Sequence, residues 1–411
     1  MAMVGPVGRA DDWPQFRGPN RDAISKETGL LRHWAEGGPV VLWTVDVAEG
    51  YAAPAVYGGR VYFNDYDRQA DEWLVRCVTL DKGEESWRFR YKKRIRPNHG
   101  ITRTVPAVDG TYVFSLDPKC VFHCLDAQTG EELWSKNLVK EYGTTIPAWY
   151  AGQCPLMEGD RVLIAPGGST LIMAVEKASG KPIWETPNPD GLLMTHASIM
   201  PAEIGGVKQY LYTALTGVMG VSAEDGKLLW FFPWKFNLSV PVSPLHVGDG
   251  RIFLTSCYEA ESVMIQVKCA GDKFSAEKLF TLAPNVWNSE THTPIVFDQH
   301  LFAVGKKYRG LFTCLDFDGN QVWTSKGKAS FGLGSYLLAD GMFYILEGDT
   351  GMLRLIEATT AEYRELASAQ VLEGPDVWAP LALSEGRLIV RDMAKMKCLD
   401  VAGTKVANAG E

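Results

Sequence analysis

The sequence contains no long uninterrupted run of apolar residues. No stretch reaches the roughly 18 uncharged apolar residues that a membrane-spanning helix requires, so we expect no membrane span. Positive charge is in deficit, because 41 Lys and Arg residues face 49 Asp and Glu residues for a net charge of −8. A surface of that sign does not favour phosphate backbones or anionic lipid, and we expect no nucleic-acid partner.

Cysteine is sparse, and eight in 411 residues are too dilute for a small disulfide scaffold. Four of the eight occupy one repeated slot, and in three of those cases Leu-Asp follows: Cys77, Cys124, Cys314 and Cys398. A buried Cys acts as a small hydrophobe, so the slot predicts packing between layers rather than metal or redox chemistry. Nucleophile-elbow (GxSxG) and Walker motifs are both missing from the sequence.

Large aromatic and turn-forming residues are abundant instead. The chain has 13 Trp, 41 Gly and 22 Pro, and 46% of its residues are hydrophobic. Aromatic side chains fit a pleated, half-buried surface, while Gly and Pro end strands. This composition predicts an all-β protein with a large core.

A turn-and-Trp unit repeats along the chain, as in Leu125 to Trp134 (LDAQTGEELW), Val175 to Trp184 and Val221 to Trp230. An apolar strand stops at a polar turn, Gly takes the positive-φ position, and a new strand carrying a Trp begins. The period is near 46 residues, set by Trp43, Trp87, Trp134, Trp184, Trp230 and Trp323. We interpret Phe280 and Leu366 as the two missing members, which makes eight such strands.

Each unit also begins with an apolar segment and holds four short strands, which is typical of a propeller blade. We therefore predict an eight-bladed β-propeller of four-stranded antiparallel blades. The first Trp strand has no blade before it and the last blade has no Trp strand after it, so Pro39 to Val45 should complete the last blade and close the ring. Residues 13–411 are expected to form this single domain, and residues 1–12 a flexible N-terminus.

This unit (A-x-D/T-G-x-x-x-W) and the opening segment Trp13 to Arg21 (WPQFRGPNR) resemble the bacterial PQQ-like propeller repeat proteins over essentially residues 11–405. That resemblance implies one of two functional classes: quinoprotein dehydrogenases, which use pyrroloquinoline quinone (PQQ), or the propeller lipoprotein of the outer-membrane β-barrel assembly machinery, which has no cofactor. The chain has neither the adjacent cysteines of many such dehydrogenases nor a CxxCH haem site. It is more similar to the lipoprotein, which implies a periplasmic or secreted protein whose signal peptide has been removed.

Candidate functional residues concentrate where the outer strand of one blade leads into the innermost strand of the next. We call these connections the inter-blade loops, and they should rim one mouth of the channel. Polar and aromatic residues recur in them and are the candidate ligand-binding residues: His99, Arg103, Trp149, Gln153, Asn237, Asn288, Tyr336 and Trp378. Arg103 would pair with a carboxylate and the tryptophans would stack on the ligand. A solvated rim whose histidines bond backbone groups is the alternative.

His196, Glu290 and His292 are the candidate acid–base residues of the same rim. No metal site is expected, because His99, His196 and His292 come from alternate blades and no HxH or HxxxH spacing supports ligation.

Three functions are consistent with this rim. The favoured one is a non-catalytic, monomeric propeller that binds a protein partner or a small polar ligand at the channel mouth, without a cofactor. The alternatives are an alcohol- or sugar-oxidising enzyme with PQQ and Ca²⁺ in the channel, and a cofactor-independent hydrolase or lyase acting on a polar substrate.

Overall fold

The structure is a computed structural model that describes residues 12–236, 238–258, 260–305 and 310–403. In this part of the chain, eight sheets follow one another, seven with four strands and one with five. Within each four-strand blade all neighbouring strands are antiparallel. The innermost strand of the first blade contacts those of the second and the eighth, and together with the eight sheets this confirms the predicted eight-bladed propeller.

Two strands precede the first blade, β1 (Ile24–Ser25) and β2 (Val40–Asp46). Blades one to four contain the following strands, in order from the innermost to the outermost: β3 Ala55–Tyr57, β4 Arg60–Asp67, β5 Glu72–Thr79 and β6 Glu85–Lys92; β7 Ala107–Val108, β8 Tyr112–Leu116, β9 Val121–Asp126 and β10 Glu132–Asn137; β11 Leu156–Glu158, β12 Arg161–Ile164, β13 Thr170–Glu176 and β14 Pro182–Pro187; β15 Met200–Ile204, β16 Val207–Ala214, β17 Gly217–Ser222 and β18 Leu228–Pro233. One short helix, α1 (Leu138–Tyr142), follows the second blade.

Blades five to eight continue the same order: β19 Leu245–Gly248, β20 Arg251–Leu254, β21 Ser262–Ala270 and β22 Lys273–Leu282; β23 Ile295–Phe297, β24 His300–Gly305, β25 Leu311–Asp316 and β26 Gln321–Thr324; β27 Tyr336–Ala339, β28 Met342–Leu346, β29 Met352–Glu357 and β30 Glu365–Gln370; β31 Ala382–Ser384, β32 Arg387–Arg391 and β33 Lys395–Asp400. Across the described ranges, no helix has the length and apolar character needed to cross a membrane.

The ring is closed by strand β2, which is the outermost strand of the eighth blade. It pairs antiparallel with β33, so that Val40 lies opposite Asp400 and Trp43 lies opposite Cys398. This confirms the closure predicted for residues 39–45. The eighth blade therefore combines residues that are about as far apart in sequence as the described chain permits.

Most boundaries between blades are bridged by the aromatic residue of an outer strand. Nε1 of Trp87 donates a hydrogen bond to the carbonyl oxygen of Ala127 in the next blade, 3.1 Å away. Its ring covers Gly130 so closely that a Cβ there would lie 2.5 Å from the indole. Within its own blade, Trp87 lies opposite Cys77. Three further indoles donate across blade boundaries in the same way, Trp43 to Leu80, Trp134 to Lys177 and Trp323 to Thr359.

Of the two residues predicted to stand where other blades have Trp, Phe280 occupies that position and Leu366 does not. Phe280 pairs with Met264 and covers Gly319, which is the position that a Trp occupies elsewhere. The prediction of Leu366 is wrong by one residue, because Leu355 in the seventh blade lies opposite Ala367. A one-residue bulge precedes the Trp position in the outer strands, and Leu366 is the bulged residue. The seventh blade thus has Ala where other blades have an aromatic ring.

The segment around the WPQFRGPNR motif fills the central channel. Trp13 forms a bridge with Val56 of the first blade, and the carbonyl of Pro14 accepts a hydrogen bond from Val108 of the second. Strand β1 then adds in parallel to β27, which gives the seventh blade its fifth strand. We call residues 13–25 the channel segment. Residues 1–11, most of the terminus predicted to be flexible, lie outside the described residues.

Two buried arginines fasten the channel segment to opposite sides of the ring. Arg17 donates to the carbonyl oxygens of Thr293, at 2.6 Å, and Pro294, at 2.9 Å. Arg21 donates to the carbonyl oxygen of Pro155, at 2.7 Å. Burial lowers the pKa of each arginine to about 10, so both remain charged at neutral pH. Their hydrogen bonds to several carbonyl groups offset part of the cost of burying charge.

Candidate functional site

A cavity of about 350 Å³ opens at the mouth where the inter-blade loops meet. Every one of the eight inter-blade loops contributes at least one lining residue. These residues are Tyr51, His99, Arg103, Trp149, Gly152, His196, Ser239, Glu290, Thr291, His292, Leu333 and Trp378. Phe16 of the channel segment also lines the cavity, so the channel segment closes its inner end. The cavity is therefore open at the mouth of the channel and closed at its inner end.

Seven of the predicted residues line this cavity. They comprise four of the ligand-binding candidates and all three acid–base candidates: His99, Arg103, Trp149, Trp378, His196, Glu290 and His292. They meet because each follows the outer strand of its blade and so reaches the same end of the channel.

Three other candidates point into the blades, where they bond neighbouring strands and loops. Gln153 is buried and accepts a hydrogen bond from the backbone of Ala165 at 2.7 Å. Asn288 is buried and donates to the carbonyl oxygen of Ser256 at 3.3 Å. The hydroxyl of Tyr336 donates to the carbonyl oxygen of Thr293 at 3.3 Å. None of the three is among the lining residues, and Asn237 lies outside the described residues.

Among the described residues that line the cavity, Arg103 is the only Lys or Arg. Its Nη2 donates to the carbonyl oxygens of Asn98, at 2.8 Å, and His99, at 2.6 Å, which fixes the direction of the guanidinium. Its Nη1 is buried and has no hydrogen-bond partner. In the described chain, no Asp or Glu lies within ion-pair distance of it. Burial lowers the pKa of Arg103 to about 10, so the cation persists at neutral pH.

Two pairs of stacked aromatic rings form part of the cavity wall. Tyr51 and Trp378 stack with ring centroids 5.0 Å apart and planes 8° from parallel. Trp149 and Tyr258 stack at 6.0 Å and 11°. Burial and the carboxylate of Asp376 raise the pKa of Tyr51 to about 12, so its hydroxyl stays protonated. The indole nitrogen of Trp378 is buried without a partner in the described structure.

Two of the three histidines that line the cavity, His196 and His292, are neutral. Burial lowers the pKa of His196 to about 4, and the nearby charge of Arg103 adds to that effect. Burial likewise lowers the pKa of His292 to about 4, although a hydrogen bond to the carbonyl of Leu333 acts against the lowering. Ser239 Oγ lies 2.8 Å from His196 Nδ1 and forms a hydrogen bond with it. Both imidazoles are therefore uncharged polar groups near pH 7.

The backbone of the rim is strained at aromatic and His residues. His99, Trp149 and Tyr258 line the cavity and have φ angles of 52°, 61° and 54°, in the left-handed region. Tyr150 has a φ of 72° beside Trp149. Such conformations cost about 1–3 kcal/mol each in non-Gly residues and concentrate at ligand-binding sites. Folding energy is thus used to orient these particular side chains.

Three large aromatic residues that line the cavity, Tyr51, Phe16 and Tyr258, were missed from the sequence. Tyr51 stands in the first inter-blade loop, and the same loop pattern that singled out Trp378 could have found it. Phe16 belongs to the channel segment, whose course depends on contacts distant in sequence. Tyr258 comes from the hairpin between β20 and β21, which reaches the same end of the blade as the inter-blade loops.

The lining residues do not fit PQQ with Ca²⁺. PQQ carries three carboxylates, whereas the described lining residues supply one guanidinium and three imidazoles, of which those of His196 and His292 are neutral. Calcium requires six to eight oxygen ligands, and among the residues described, no three His, Cys, Asp or Glu side chains are placed to hold a metal ion.

Comparison with known proteins connects this architecture with two groups of propellers. The profile of the family described as "Outer membrane protein assembly factor BamB" matches residues 70–233. A protein of that name from Moranella endobia (strain PCIT) is 21% identical over 265 residues, which are 59% of this chain and 61% of the relative. The match thus spans less than two thirds of that relative's length.

Solved structures show the same fold at low identity. BamB from Moraxella catarrhalis superposes with a TM-score of 0.60 and 12% identity, covering 87% of this chain and 96% of the other. The quinohemoprotein alcohol dehydrogenase from Comamonas testosteroni gives a TM-score of 0.67 at 12% identity, covering 97% and 81%. The repeat, the closed eight-bladed ring and these matches together confirm the resemblance of this chain to the PQQ-like β-propeller repeat family.

Proposed function

We propose that the protein is a non-catalytic propeller that binds a small organic anion in the cavity formed by its inter-blade loops. The observation that carries this proposal is Arg103. Its guanidinium is buried in a cavity wall, held in place by two carbonyl groups, and left with an unpaired Nη1. Carboxylate and phosphate groups are the partners that a guanidinium of this kind binds strongly.

Burying the cation of Arg103 costs free energy. Removing a charge from water costs several kcal/mol unless a partner of opposite charge replaces the lost hydration. The two carbonyl groups that contact Arg103 are neutral and satisfy only Nη2. An anionic ligand would supply the missing charge and accept from Nη1, and the indole nitrogen of Trp378 offers a second unused donor.

The histidines support binding rather than acid–base catalysis. An efficient general base has a pKa near the working pH, whereas the pKa of His196 and that of His292 both lie near 4. Protonating either ring during a reaction would place a second positive charge near Arg103 or Arg17. Neutral imidazoles are better suited to hydrogen bonds with a ligand.

The relatives suggest where the protein acts. One of them is named "Outer membrane protein assembly factor BamB", and a solved structure is that of a BamB. By that likeness we propose that the protein is periplasmic and that it also contacts a protein partner. Exposed apolar side chains near the mouth, Leu238, Tyr258 and Val286, are suited to such a contact.

A second candidate function rests on the hydrogen bond between Ser239 and His196. A Ser hydroxyl 2.8 Å from an imidazole nitrogen is the arrangement that activates a nucleophile in hydrolases. Labelling with a fluorophosphonate probe tests this directly. Stoichiometric labelling that is lost in Ser239→Ala would support a hydrolase, and no labelling at millimolar probe would exclude this role.

Calorimetric titration with small acids tests the binding proposal. The panel contains galacturonate, benzoate and succinate, each compared with its neutral amide or ester. We expect at least one acid to bind with Kd below about 1 mM and its neutral counterpart not to bind. Arg103→Gln should abolish this binding, whereas Arg364→Gln, which replaces an exposed arginine just before strand β30, should not. Equal binding by wild type and Arg103→Gln would refute the proposal.

A further inference from the structure

One stretch of this acidic protein is strongly basic. Residues 86–108 contain no Asp or Glu and seven Lys or Arg residues, although the net charge of the chain is −8. The stretch includes strand β6, the second inter-blade loop and Arg103. It therefore connects the outer edge of the first blade with the cavity.

The cations on β6 have acidic partners, and so does Lys93 at the start of the loop, whose Nζ lies 3.1 Å from Asp117, but the next two cations of the loop do not. Arg90 and Lys92 lie 3.6 and 3.7 Å from carboxylate oxygens of Glu72. Arg94 and Arg96 are exposed, and within the described ranges neither forms an ion pair. Ile95 between them is 3% exposed and packs in a small apolar cluster, so the two arginines are held outward on either side of an anchor.

The loop is fastened directly to the cavity wall. The hydroxyl of Tyr150 donates to the carbonyl oxygen of Arg96 at 2.7 Å, and Tyr150 follows Trp149, which lines the cavity. Three residues later, the carbonyl oxygen of His99 accepts from the guanidinium of Arg103 at 2.6 Å. Positive groups thus follow one another from the exposed surface, at Arg94 and Arg96, to the interior, at Arg103.

We infer that the ligand is an acidic oligosaccharide, with a terminal uronate in the cavity and the carboxylates of the following sugars along Arg96 and Arg94. This inference rests on the proposed binding of an organic anion by Arg103 and names its chemical class. It adds a second, exposed subsite that lies outside the cavity lining.

The walls of the cavity favour a sugar ring over other acids. A pyranose presents C–H faces that pack on aromatic rings, and the stacked pairs Tyr51–Trp378 and Trp149–Tyr258 offer such rings. Its hydroxyl groups can bond the indole nitrogen of Trp378 and the neutral imidazole of His196. An acidic peptide has no ring beside its carboxylates and would use the arginines alone.

The exposed subsite should act through repeated charge. Once the terminal uronate is bound, the next carboxylates are held near Arg96 at high effective concentration, so each weak contact adds to affinity. Because these arginines are exposed, salt should weaken their contribution much more than it weakens the contact with buried Arg103.

The test compares chain lengths by calorimetry at low salt. The probes are galacturonate, hexagalacturonate, methyl-esterified hexagalacturonate and hexaglutamate. We expect hexagalacturonate to bind at least tenfold more tightly than galacturonate, and the esterified hexamer to bind no more tightly than the monomer. The double variant Arg94→Gln/Arg96→Gln should remove most of the gain from chain length. Lys268→Gln/Arg364→Gln, which removes two exposed charges, one in strand β21 and one just before β30, should retain it.

The outcomes separate this inference from the proposed function. If the monomer binds through Arg103 but the hexamer binds no more tightly, the second subsite is wrong and the anion cavity stands. If hexaglutamate binds as tightly as hexagalacturonate, the sugar class is wrong and an acidic peptide replaces it. If benzoate or succinate binds and neither uronate does, the sugar class is again wrong. If no acid binds, both proposals fail.

Discussion

The guanidinium carbon of Arg103 lies 5.7 Å from the centroid of the Tyr51 ring, and that ring in turn stacks on Trp378. The contact joins the second inter-blade loop to the first and the eighth. An aromatic face attracts a cation but does not neutralise it. The stack therefore holds the charge in place while leaving it available to a ligand.

Replacing Arg103 should separate stability from binding. In Arg103→Met the buried, unpaired charge is gone and the aliphatic part of the side chain remains. A buried charge is often replaced by an apolar side chain at no cost in stability. We expect the melting temperature without ligand to be equal to or higher than that of the wild type, while the ligand-induced rise in melting temperature disappears. A large fall in the melting temperature would show that Arg103 is structural.

Two substitutions at Trp378 should distinguish stacking from hydrogen bonding. Trp378→Phe keeps an aromatic ring beside Tyr51 but removes the unpartnered indole nitrogen. Trp378→Leu removes both. If the nitrogen donates to the ligand, Trp378→Phe should weaken binding about tenfold, the effect of one hydrogen bond to a charged acceptor, and Trp378→Leu should weaken it further. Unchanged Kd values in both variants, measured by calorimetry, would remove Trp378 from the site.

The neutral histidines predict how stability depends on pH. Burial lowers the pKa of His196 and His292 from an ordinary 6.5 to about 4, so between these values the unfolded chain binds more protons than the folded one. The contribution of the two histidines to the free energy of unfolding should therefore rise with pH from about 4 to 6.5 and level off above that. Urea denaturation at pH 4.5, 5.5, 6.5 and 8.0 measures this. His196→Gln and His292→Gln should each reduce the rise, and an unchanged slope in both would contradict the assignment.

Two matched glycines test the contact between blades. Gly130 and Gly206 have φ angles of 76° and 75°, but a Cβ would meet Trp87 at 2.5 Å in the first and nothing within 4 Å in the second. Gly206→Ala should cost about 1 kcal/mol, the price of the left-handed conformation. Gly130→Ala should cost a further 1 to 3 kcal/mol, roughly, because the indole must move. Urea denaturation compares them, and equal losses would show that the ring yields without strain.

The channel segment offers a test of its own. Arg17→Ala would leave the carbonyl groups of Pro294 and Arg21 without this donor inside the ring, and the carbonyl of Thr293 with only the hydroxyl of Tyr336. We expect a loss of at least about 3 kcal/mol in the free energy of unfolding, since each orphaned buried acceptor costs about 1–3 kcal/mol. Arg32→Ala removes an exposed arginine paired with Glu357 at 3.5 Å and should cost under about 1 kcal/mol. Similar losses in both variants would show that the channel segment is loosely held.

The features predicted best are those that depend on the repeat. Trp43 and Trp87 mark the period because each blade needs the same contact with the next, and strand β2 was predicted because the blade count left one strand unpaired. Leu366 was misplaced because the bulge that precedes the Trp position cannot be read where no Trp marks it. Local pattern thus predicts the blades, whereas a shift of one residue depends on pairing in three dimensions.

The sequence predicted where the cavity lies but not every side chain that lines it. The inter-blade loops could be read from the order of strands, and Arg103 and Trp378 do line the cavity. Gln153 comes from the same kind of loop, yet its side chain turns into the blade to bond Ala165. Sequence position determines which end of the channel a residue reaches, but the rotation of its backbone determines whether it faces the ligand. Phe16 and Tyr258 lie outside those loops and required the structure.

The closure of the ring by β2 has a consequence for biosynthesis. Val40 is translated early, yet its partner, Asp400, is among the last described residues to be made. The N-terminal strand must wait, unpaired, while seven blades form from local contacts. Contacts so distant in sequence are expected to form slowly and to be the final step of folding. During this interval the exposed strand, which contains Val40, Val41 and Leu42, is a natural target for a chaperone.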